Sequence, residues 1–264
     1  MLSVNDLEKS FGSIRAVQKV RFDVKKGEVL GFLGPNGAGK STTMRMITGF
    51  IAPDGGTAEI CGHDILKDPV GAKRCLGYLP ENAPSYRSMT VTDFLTFIAQ
   101  VRGFRGAELK QRVDAAIERT SLGVAVRQTI DTLSKGYRQR VCFAQAILHD
   151  PEVLIMDEPT DGLDPNQKFA VRQLIKSMAK EKAIIVSTHI LEEVDAVCTR
   201  CVIIAHGKIV ANGTPEELKK KDPNGHLDVV FRQLTLTPEE QAENEKISKK
   251  ILAAADAAEQ KEAR

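Results

Sequence analysis

The pattern of apolar and polar positions changes along the chain and divides it into regions. Near the N-terminus, β-rich segments at residues 2–4 and 16–24 are separated by glycine-containing breaks, which predicts strands of an antiparallel edge sheet. A continuous apolar run at residues 29–33 leads into a glycine-rich turn and then a helix over residues 41–48, with Gly49 placed to end it. This stretch predicts a buried strand, a loop and a helix in succession.

Helical spacing dominates the middle of the chain. Between residues 91 and 148 apolar side chains recur at helix spacing, beginning with Phe94, Leu95, Ile98 and Val101. We therefore expect a mostly helical subdomain at about residues 82–150. Two apolar runs follow at residues 153–156 and 183–186, separated by one helix-length segment, which is typical of a parallel sheet with right-handed crossovers. The predicted fold class is α/β, with an antiparallel β subdomain before the core.

The C-terminal part contains a hairpin pattern and two helix-start signals. Residues 201–210 predict the hairpin. Thr214 and Thr237 each precede a proline and stand three residues before a glutamate, as in a capping box. Residues 243–264 are charged and Ala-rich with few apolar side chains to bury. We expect one domain at residues 1–236 and a charged, solvated helical tail at residues 237–264.

Composition narrows the classes of partner. The 264 residues carry a formal net charge of +2, from 37 basic and 35 acidic residues, so we expect no nucleic acid partner. The apolar runs are far shorter than the roughly 18 residues of a membrane-spanning helix, and the first residues lack the pattern of a secretory signal. A cytosolic chain with reduced cysteines is expected. We interpret Cys198 and Cys201 as structural, because no second pair stands at zinc-site spacing.

The glycine-rich turn carries the most specific chemical signal. Residues 34–41 fit the pattern GxxxxGK[ST] between a predicted strand and a predicted helix. In such a loop the backbone N–H groups surround phosphate oxygens, Lys40 reaches the β- and γ-phosphates, and Ser41 ligates Mg²⁺. A purely structural turn is the alternative, and the presence of both Lys40 and Ser41 in register counts against it.

Two carboxylates end the apolar run at residues 153–156. Buried adjacent carboxylates are costly without a cation, so a bound Mg²⁺ accounts for Asp157 better than packing does. Glu158 is then free to position and deprotonate an attacking water. About one helix earlier, Ser134 is predicted to cap a helix that has Gly136 in its first turn, which suggests a second anion site. A simple helix cap is the alternative for Ser134.

Taken together, these residues resemble the ATP-binding subunits of ABC transporters, and the resemblance extends from about residue 2 to residue 235. Residues 133–137 resemble the LSGGQ signature in a divergent form, residues 161–164 resemble the D-loop, and His189 resembles the switch histidine. Phe11 occupies the place of an aromatic residue that stacks on adenine. Glu81 follows the pattern of residues 77–80, which resembles exporters of the ABC-2 type, and stands where many relatives have the Q-loop glutamine.

The resemblance implies a mechanism. Two copies would face each other head to tail, so that Ser134 and Gly136 of one cap the γ-phosphate bound by Lys40 and Ser41 of the other. A separate integral-membrane permease would dock a short helix near residues 81–97, which would place the chain at the cytoplasmic face of a bacterial cell membrane. The implied catalytic residues are Glu158 and His189, the implied Mg²⁺ ligands are Ser41, Asp157 and Glu81, and the implied nucleotide-binding residues are Phe11, Gly34, Pro35, Asn36, Gly37, Ala38, Gly39, Lys40, Ser41, Thr42, Glu81, Ser134, Gly136 and Asp161.

Two departures from the family pattern and two alternatives accompany this interpretation. The first departure is Glu81, a carboxylate that can still ligate Mg²⁺, in place of the Q-loop glutamine. The second departure lies in the signature. Lys135 and Tyr137 replace the Gly and Gln of the signature, which we expect to add bulk and charge near the opposing γ-phosphate. One alternative is a related ATPase that acts on DNA or the ribosome, but such proteins have a long coiled-coil insertion or two fused halves, and this sequence has neither. The other is an ATP-binding interaction protein without turnover, against which Glu158 and His189 argue.

Overall fold

Two β-sheets organise the protein. The structure, a computed structural model, describes residues 1–81, 85–237 and 239–240. The first sheet is antiparallel and has the order β2-β1-β4-β5. Its strands are β1 (Leu2–Phe11), β2 (Ile14–Val24), β4 (Gly55–Ile60) and β5 (His63–Asp64). The predicted antiparallel edge sheet is therefore present, with strands longer than the sequence pattern indicated.

The second sheet forms the core and has the order β10-β9-β3-β8-β7-β6. All of its neighbouring strands pair in parallel except β9 and β10, which form the predicted hairpin. Residues of β3, β7 and β8 are buried along the whole strand, which explains their continuous apolar runs. The strands are β3 (Val29–Leu33), β6 (Leu76–Leu79), β7 (Val153–Asp157), β8 (Ala183–Thr188), β9 (Arg200–Ala205) and β10 (Lys208–Gly213).

Helices cover this sheet and build a separate cluster beside it. They are α1 (Lys40–Ile47), α2 (Pro69–Arg74), α3 (Val91–Val101), α4 (Gly106–Arg119), α5 (Lys135–Ile147), α6 (Pro165–Ala179), α7 (Leu191–Val197), α8 (Pro215–Lys219) and α9 (Leu227–Thr235). Helices α3, α4 and α5 share their own apolar core, which includes Phe94, Val113 and Val141. Val101 shares the helix spacing of these apolar residues but is not part of this core. The buried face of α3 follows Val91, Leu95 and Ala99, and this face turns away from Val101, which is 68% exposed.

The predicted helix starts are confirmed by their hydrogen bonds. The Thr214 hydroxyl accepts from the Glu217 N–H, and the Glu217 carboxylate accepts from the Thr214 N–H. Thr237 and Glu240 exchange the same pair of bonds, although most of the predicted tail after Thr237 lies outside the described residues. Within the described part of the chain, no helix has the length and apolar character that a bilayer crossing requires.

The order of the second sheet determines where chemistry can occur. Because β6, β7, β8 and β3 run in parallel, their carboxyl ends lie at one edge of the sheet. The loop before α1 leaves β3 there, Glu158 follows β7, His189 follows β8, and Glu81 comes two residues after β6. In open α/β sheets this edge is the usual place for a ligand.

Candidate nucleotide-binding and catalytic site

A cleft of about 460 Å³ lies at this edge of the sheet. Its lining residues come from five chain segments that are separated in sequence. Most of the residues expected to bind nucleotide or to act in catalysis line it. The lining residues are Ala16, Asn36, Gly37, Gly39, Lys40, Ser41, Thr42, Glu81, Glu158, Asp161 and His189.

The glycine-rich loop has a shape suited to an anion. Gly37 and Gly39 have φ angles of 78° and 105°, a region that favours glycine, and a Cβ on Gly39 would collide with the backbone oxygen of Ala16. No side chain among the described residues caps the start of α1 at Gly39. The first N–H groups of α1 therefore face the cleft without a side-chain acceptor, and phosphate oxygens fit this helix start.

Lys40 supplies the positive charge of the cleft although only 6% of the residue is exposed. Its Nζ donates to the backbone oxygens of Gly34 at 2.7 Å and Pro35 at 3.1 Å, which hold the side chain back along the loop. Burial lowers the pKa of Lys40, and the carboxylates of Glu158, Asp157 and Glu81 oppose this effect. A buried ammonium held by backbone carbonyls is suited to bind phosphate oxygens.

Glu158 adopts a left-handed backbone conformation, with a φ of 49°, directly after β7. Its N–H donates to the Ser187 backbone oxygen at 2.9 Å, which joins the end of β7 to β8. Carboxylate Oε1 lies 3.0 Å from His189 Nδ1 and 3.9 Å from Lys40 Nζ. The other oxygen, Oε2, is buried and has no hydrogen-bond partner among the described residues. One carboxylate oxygen is thus free to accept a proton.

Asp157 lies behind the cleft rather than in its lining and is 2% exposed. Its Oδ1 and the nearby Ser187 Oγ are both buried and lack a hydrogen-bond partner within the part of the chain that the structure describes. Buried polar atoms without partners are costly, and a hydrated Mg²⁺ would satisfy them. The oxygen ligands available around the cleft, from Ser41, Glu81 and Asp157, are of the kind that Mg²⁺ prefers.

Several predicted residues lie elsewhere. Phe11 does not line the cleft. Its half-exposed ring lies at the end of β1, with its centroid 5.8 Å from Lys9 Nζ. Ser134 and Gly136 are also outside the cleft of their own chain. Ser134 caps α5 by accepting from the Tyr137 N–H at 3.3 Å, as predicted.

The structure gives Lys135 and Tyr137 contacts within their own chain, and their expected effect on an opposing γ-phosphate stays a prediction. Lys135 Nζ lies 3.6 Å from Asp161 Oδ2 of the same chain, so its charge is directed to its own D-loop. Tyr137 packs against the core of the helical cluster, with the Arg140 guanidinium 5.3 Å from its ring. Sequence spacing could not show these contacts, because the start of α5 and residue 161 meet only through the fold.

Sequence reasoning missed two residues of the site. Ala16 lines the cleft from β2, and next to Asp157 lies the Ser187 hydroxyl, which has no hydrogen-bond partner among the described residues. No sequence pattern gave either residue a chemical role of its own. Ser187 pairs with Asp157 across β7 and β8, and this register is visible only in the sheet.

The fold and the cleft define a P-loop nucleotide-binding ATPase. The family model for ABC transporters matches residues 17–161, which is more than half of the chain. The chain belongs to this family. It is an ATP-binding, ATP-hydrolysing subunit of an ABC transporter, a class of protein that works with membrane permease partners.

Curated bacterial relatives agree with this assignment. The uncharacterised ABC transporter ATP-binding protein YxlF of Bacillus subtilis is 37% identical over 84% of this chain and 73% of its own length. The linearmycin resistance ATP-binding protein LnrL of the same organism is 36% identical over 83% and 70%. The probable multidrug ABC transporter ATP-binding protein YbhF of Escherichia coli is 36% identical over 85% of this chain but only 39% of that longer protein.

Solved structures show the same fold. One described as the ATP-binding subunit of an ABC transporter has a TM-score of 0.80 and 30% identity, covering 89% of this chain and 99% of its own. Another, the dimeric structure of the bacterial ABC transporter cassette MJ0796, has a TM-score of 0.74 and 23% identity, covering 81% of this chain and 98% of its own.

Proposed function

We propose that two copies of this chain bind two ATP molecules between them, and that ATP hydrolysis drives export through a separate integral-membrane permease. One observation carries this proposal: Ser134 and Gly136 lie outside the cleft that contains Lys40, Glu158 and His189. If the capped start of α5 is a second phosphate site, a facing copy has to supply it. An isologous dimer would complete both sites at once, because each copy would present the same two surfaces.

The residues of one cleft would then divide the work. Lys40 and the N–H groups at the start of α1 bind the phosphates, while Ser41, Asp157 and Glu81 hold Mg²⁺, which neutralises charge on the phosphates when bound. Glu158 accepts a proton from the attacking water through its free oxygen. His189 keeps the Glu158 carboxylate in place through the 3.0 Å contact and, from the lining of the cleft, would contact the γ-phosphate.

Export is the transport direction favoured by the relatives. LnrL is named for linearmycin resistance, YbhF is named as a probable multidrug transporter, and a 35% identical relative from Ralstonia nicotianae is named for Nod factor export. The permease would place this chain at the cytoplasmic face of a bacterial membrane. We also propose that residues 1–236 form the ATP-binding domain, that about residues 82–150 form its helical subdomain, and that residues 237–264 are a tail that basal hydrolysis does not need.

The dimer can be tested with the Glu158→Gln variant, in which bound ATP persists. Light scattering should report a monomer without nucleotide and a dimer with ATP and Mg²⁺. Adding Ser134→Arg, at an exposed position, should abolish the dimer because the large cation replaces the cap of the facing phosphate site. Ser177→Arg is the matched control, since Ser177 is also exposed but lies on α6 away from the cleft. A protein that stays monomeric with ATP, or a dimer that survives Ser134→Arg, would refute the arrangement.

The permease can be sought by purifying the tagged chain from membranes in mild detergent. Co-purification of a protein with several membrane-spanning helices, together with stimulation of ATP hydrolysis by that protein, is the expected result. Recovery of nucleic acid or ribosomal proteins instead would favour the other class of ABC ATPase.

A further inference from the structure

Three side chains that can ligate a metal meet near the amino-terminal ends of the parallel strands β6 and β7, whose carboxyl-terminal ends face the ATP cleft. Cys61 follows β4, Cys75 joins α2 to β6, and Glu152 precedes β7. Their two sulfur atoms and one carboxylate oxygen all lie within 4.8 Å of one another. Among the described residues, no other group of three or more His, Cys, Asp or Glu side chains has its ligand atoms this close together.

The backbone holds these three positions in fixed relation. The Cys61 N–H donates to the Met1 backbone oxygen at 2.7 Å, in a tight turn where Cys61 has a φ of 52°. The Cys75 backbone oxygen accepts from the Val153 N–H at 3.0 Å, so Cys75 and Glu152 are held at the paired starts of β6 and β7. Because hydrogen-bonded strand ends and not free loops position the ligands, little rearrangement is needed for them to act together.

Burial and the neighbouring side chains raise the pKa of both thiols. Cys61 and Cys75 are partly buried against the main apolar core, while Glu152 is exposed. Burial, followed by the neighbouring Cys75 and Glu152, raises the pKa of Cys61 to about 11, and the Met1 α-ammonium acts in the opposite direction. Burial also raises the pKa of Cys75, and the charges of Glu152 and Asp68 add to that effect. Without a cation, both thiols remain protonated at neutral pH.

We propose that Cys61, Cys75 and Glu152 bind one thiophilic divalent cation of the Zn²⁺ class, with water as the fourth ligand. Two thiolates and one carboxylate are a ligand set for zinc, and tetrahedral coordination at a Zn–S distance of about 2.3 Å places two sulfurs about 3.8 Å apart. The spacing of the ligand atoms in this protein is compatible with that value. Sulfur ligands also exclude Mg²⁺, so the site differs in chemistry from the ATP cleft.

A bound cation would connect the two sheets. Cys61 directly follows β4 of the antiparallel sheet, whereas Cys75 and Glu152 directly precede the parallel strands β6 and β7. Cation binding would therefore stabilise the contact between the antiparallel subdomain and the core, and it would release thiol protons on binding. Neither dimerisation nor transport is needed for this site to bind its cation.

Cobalt provides a direct probe of the site. The full-length chain, reduced and treated with a chelator that is then removed, is titrated with Co²⁺, and thiolate-to-cobalt charge-transfer absorption is recorded. We expect the band to saturate at one equivalent of Co²⁺. Added Zn²⁺ should displace the bound Co²⁺ and abolish the band. Cys61→Ala and Cys75→Ala should each lower affinity by at least about tenfold and weaken the band. Zn²⁺ should raise the Tm of the unaltered chain but not of these variants.

Two further variants make the outcome decisive. Glu152→Gln changes an exposed side chain, so it tests the oxygen ligand without disturbing packing, and it should weaken binding while retaining thiolate absorption. Cys198→Ala is the matched control, since it removes one thiol from the other close cysteine pair, and it should leave the titration unchanged. The proposal is overturned if the reduced chain shows no thiolate band with Co²⁺, or if the band survives both Cys61→Ala and Cys75→Ala. Loss of the band in Cys198→Ala would also overturn it.

Discussion

The Glu158→Gln substitution tests the assignment of the general base most directly. Glutamine has nearly the same size and shape as glutamate, and the replaced side chain is only 10% exposed, so the packing around it is retained. The amide oxygen can keep the contacts now made by Oε1 with His189 Nδ1 at 3.0 Å and Lys40 Nζ at 3.9 Å. The amide nitrogen then occupies the place of Oε2, the oxygen that has no hydrogen-bond partner within the described part of the chain. The substitution removes the capacity to accept a proton and one negative charge, while the shape of the side chain is retained.

The expected loss of rate in Glu158→Gln is that of general base catalysis alone. General base catalysis contributes about 10²- to 10⁴-fold to a rate. At about 1.4 kcal/mol for each factor of ten, its loss raises the activation free energy by roughly 3–5 kcal/mol. ATP affinity should be retained or increased, because one negative charge near the phosphates is removed while Lys40 and the loop before α1 are unchanged.

Turnover is measured as phosphate release at saturating ATP and Mg²⁺, and affinity is measured separately by equilibrium binding of ATP. Glu181→Gln is the matched control, because Glu181 carries the same charge but is largely exposed and pairs with Lys26 at 2.8 Å, away from the cleft. The control should hydrolyse ATP at the normal rate. Turnover of Glu158→Gln within a few-fold of the unaltered chain would refute the assignment, as would a loss of ATP binding equal to the loss of rate.

Three further predictions concern stability and are checked by chemical denaturation. Phe143→Ala should lower the free energy of unfolding by about 3–5 kcal/mol, because Phe143 is fully buried between helix α5 and the sheet; a loss below 1 kcal/mol would contradict this packing. Thr214→Ala should cost about 1 kcal/mol through loss of the bond from the Glu217 N–H, whereas Thr214→Ser should cost less. Burial first, and then the Arg102 charge, lower the pKa of His149 from 6.5 to about 4. Between these two pH values, the unfolded chain binds a proton at His149 that the folded chain does not bind. The free energy of unfolding is therefore unaffected by His149 above pH 6.5 and decreases as the pH falls towards 4, by up to about 3 kcal/mol. His149→Gln should flatten that part of the pH profile, and an unchanged profile would contradict the burial effect.

Much of the site was predictable because its signals are local. The GxxxxGK[ST] loop, the cap at Ser134 and the capping box at Thr214 each depend on contacts within a few residues, so their meaning is contained in short stretches of sequence. The buried strands at Val29–Leu33, Val153–Asp157 and Ala183–Thr188 were recognisable for a similar reason, since burial on both faces requires an apolar side chain at nearly every position.

Only the tertiary structure determined which of these segments meet. The sheet order brings Glu81, Glu158 and His189 to one cleft, and periodicity within a strand carries no information about its neighbours. The same is true of the Lys135 contact with Asp161. At the other edge of the sheet, Cys61, Cys75 and Glu152 come from three separate segments and form no motif in the sequence. Sequence patterns report local conformation and burial, whereas contacts between distant residues depend on strand order and register, which the whole core sets together.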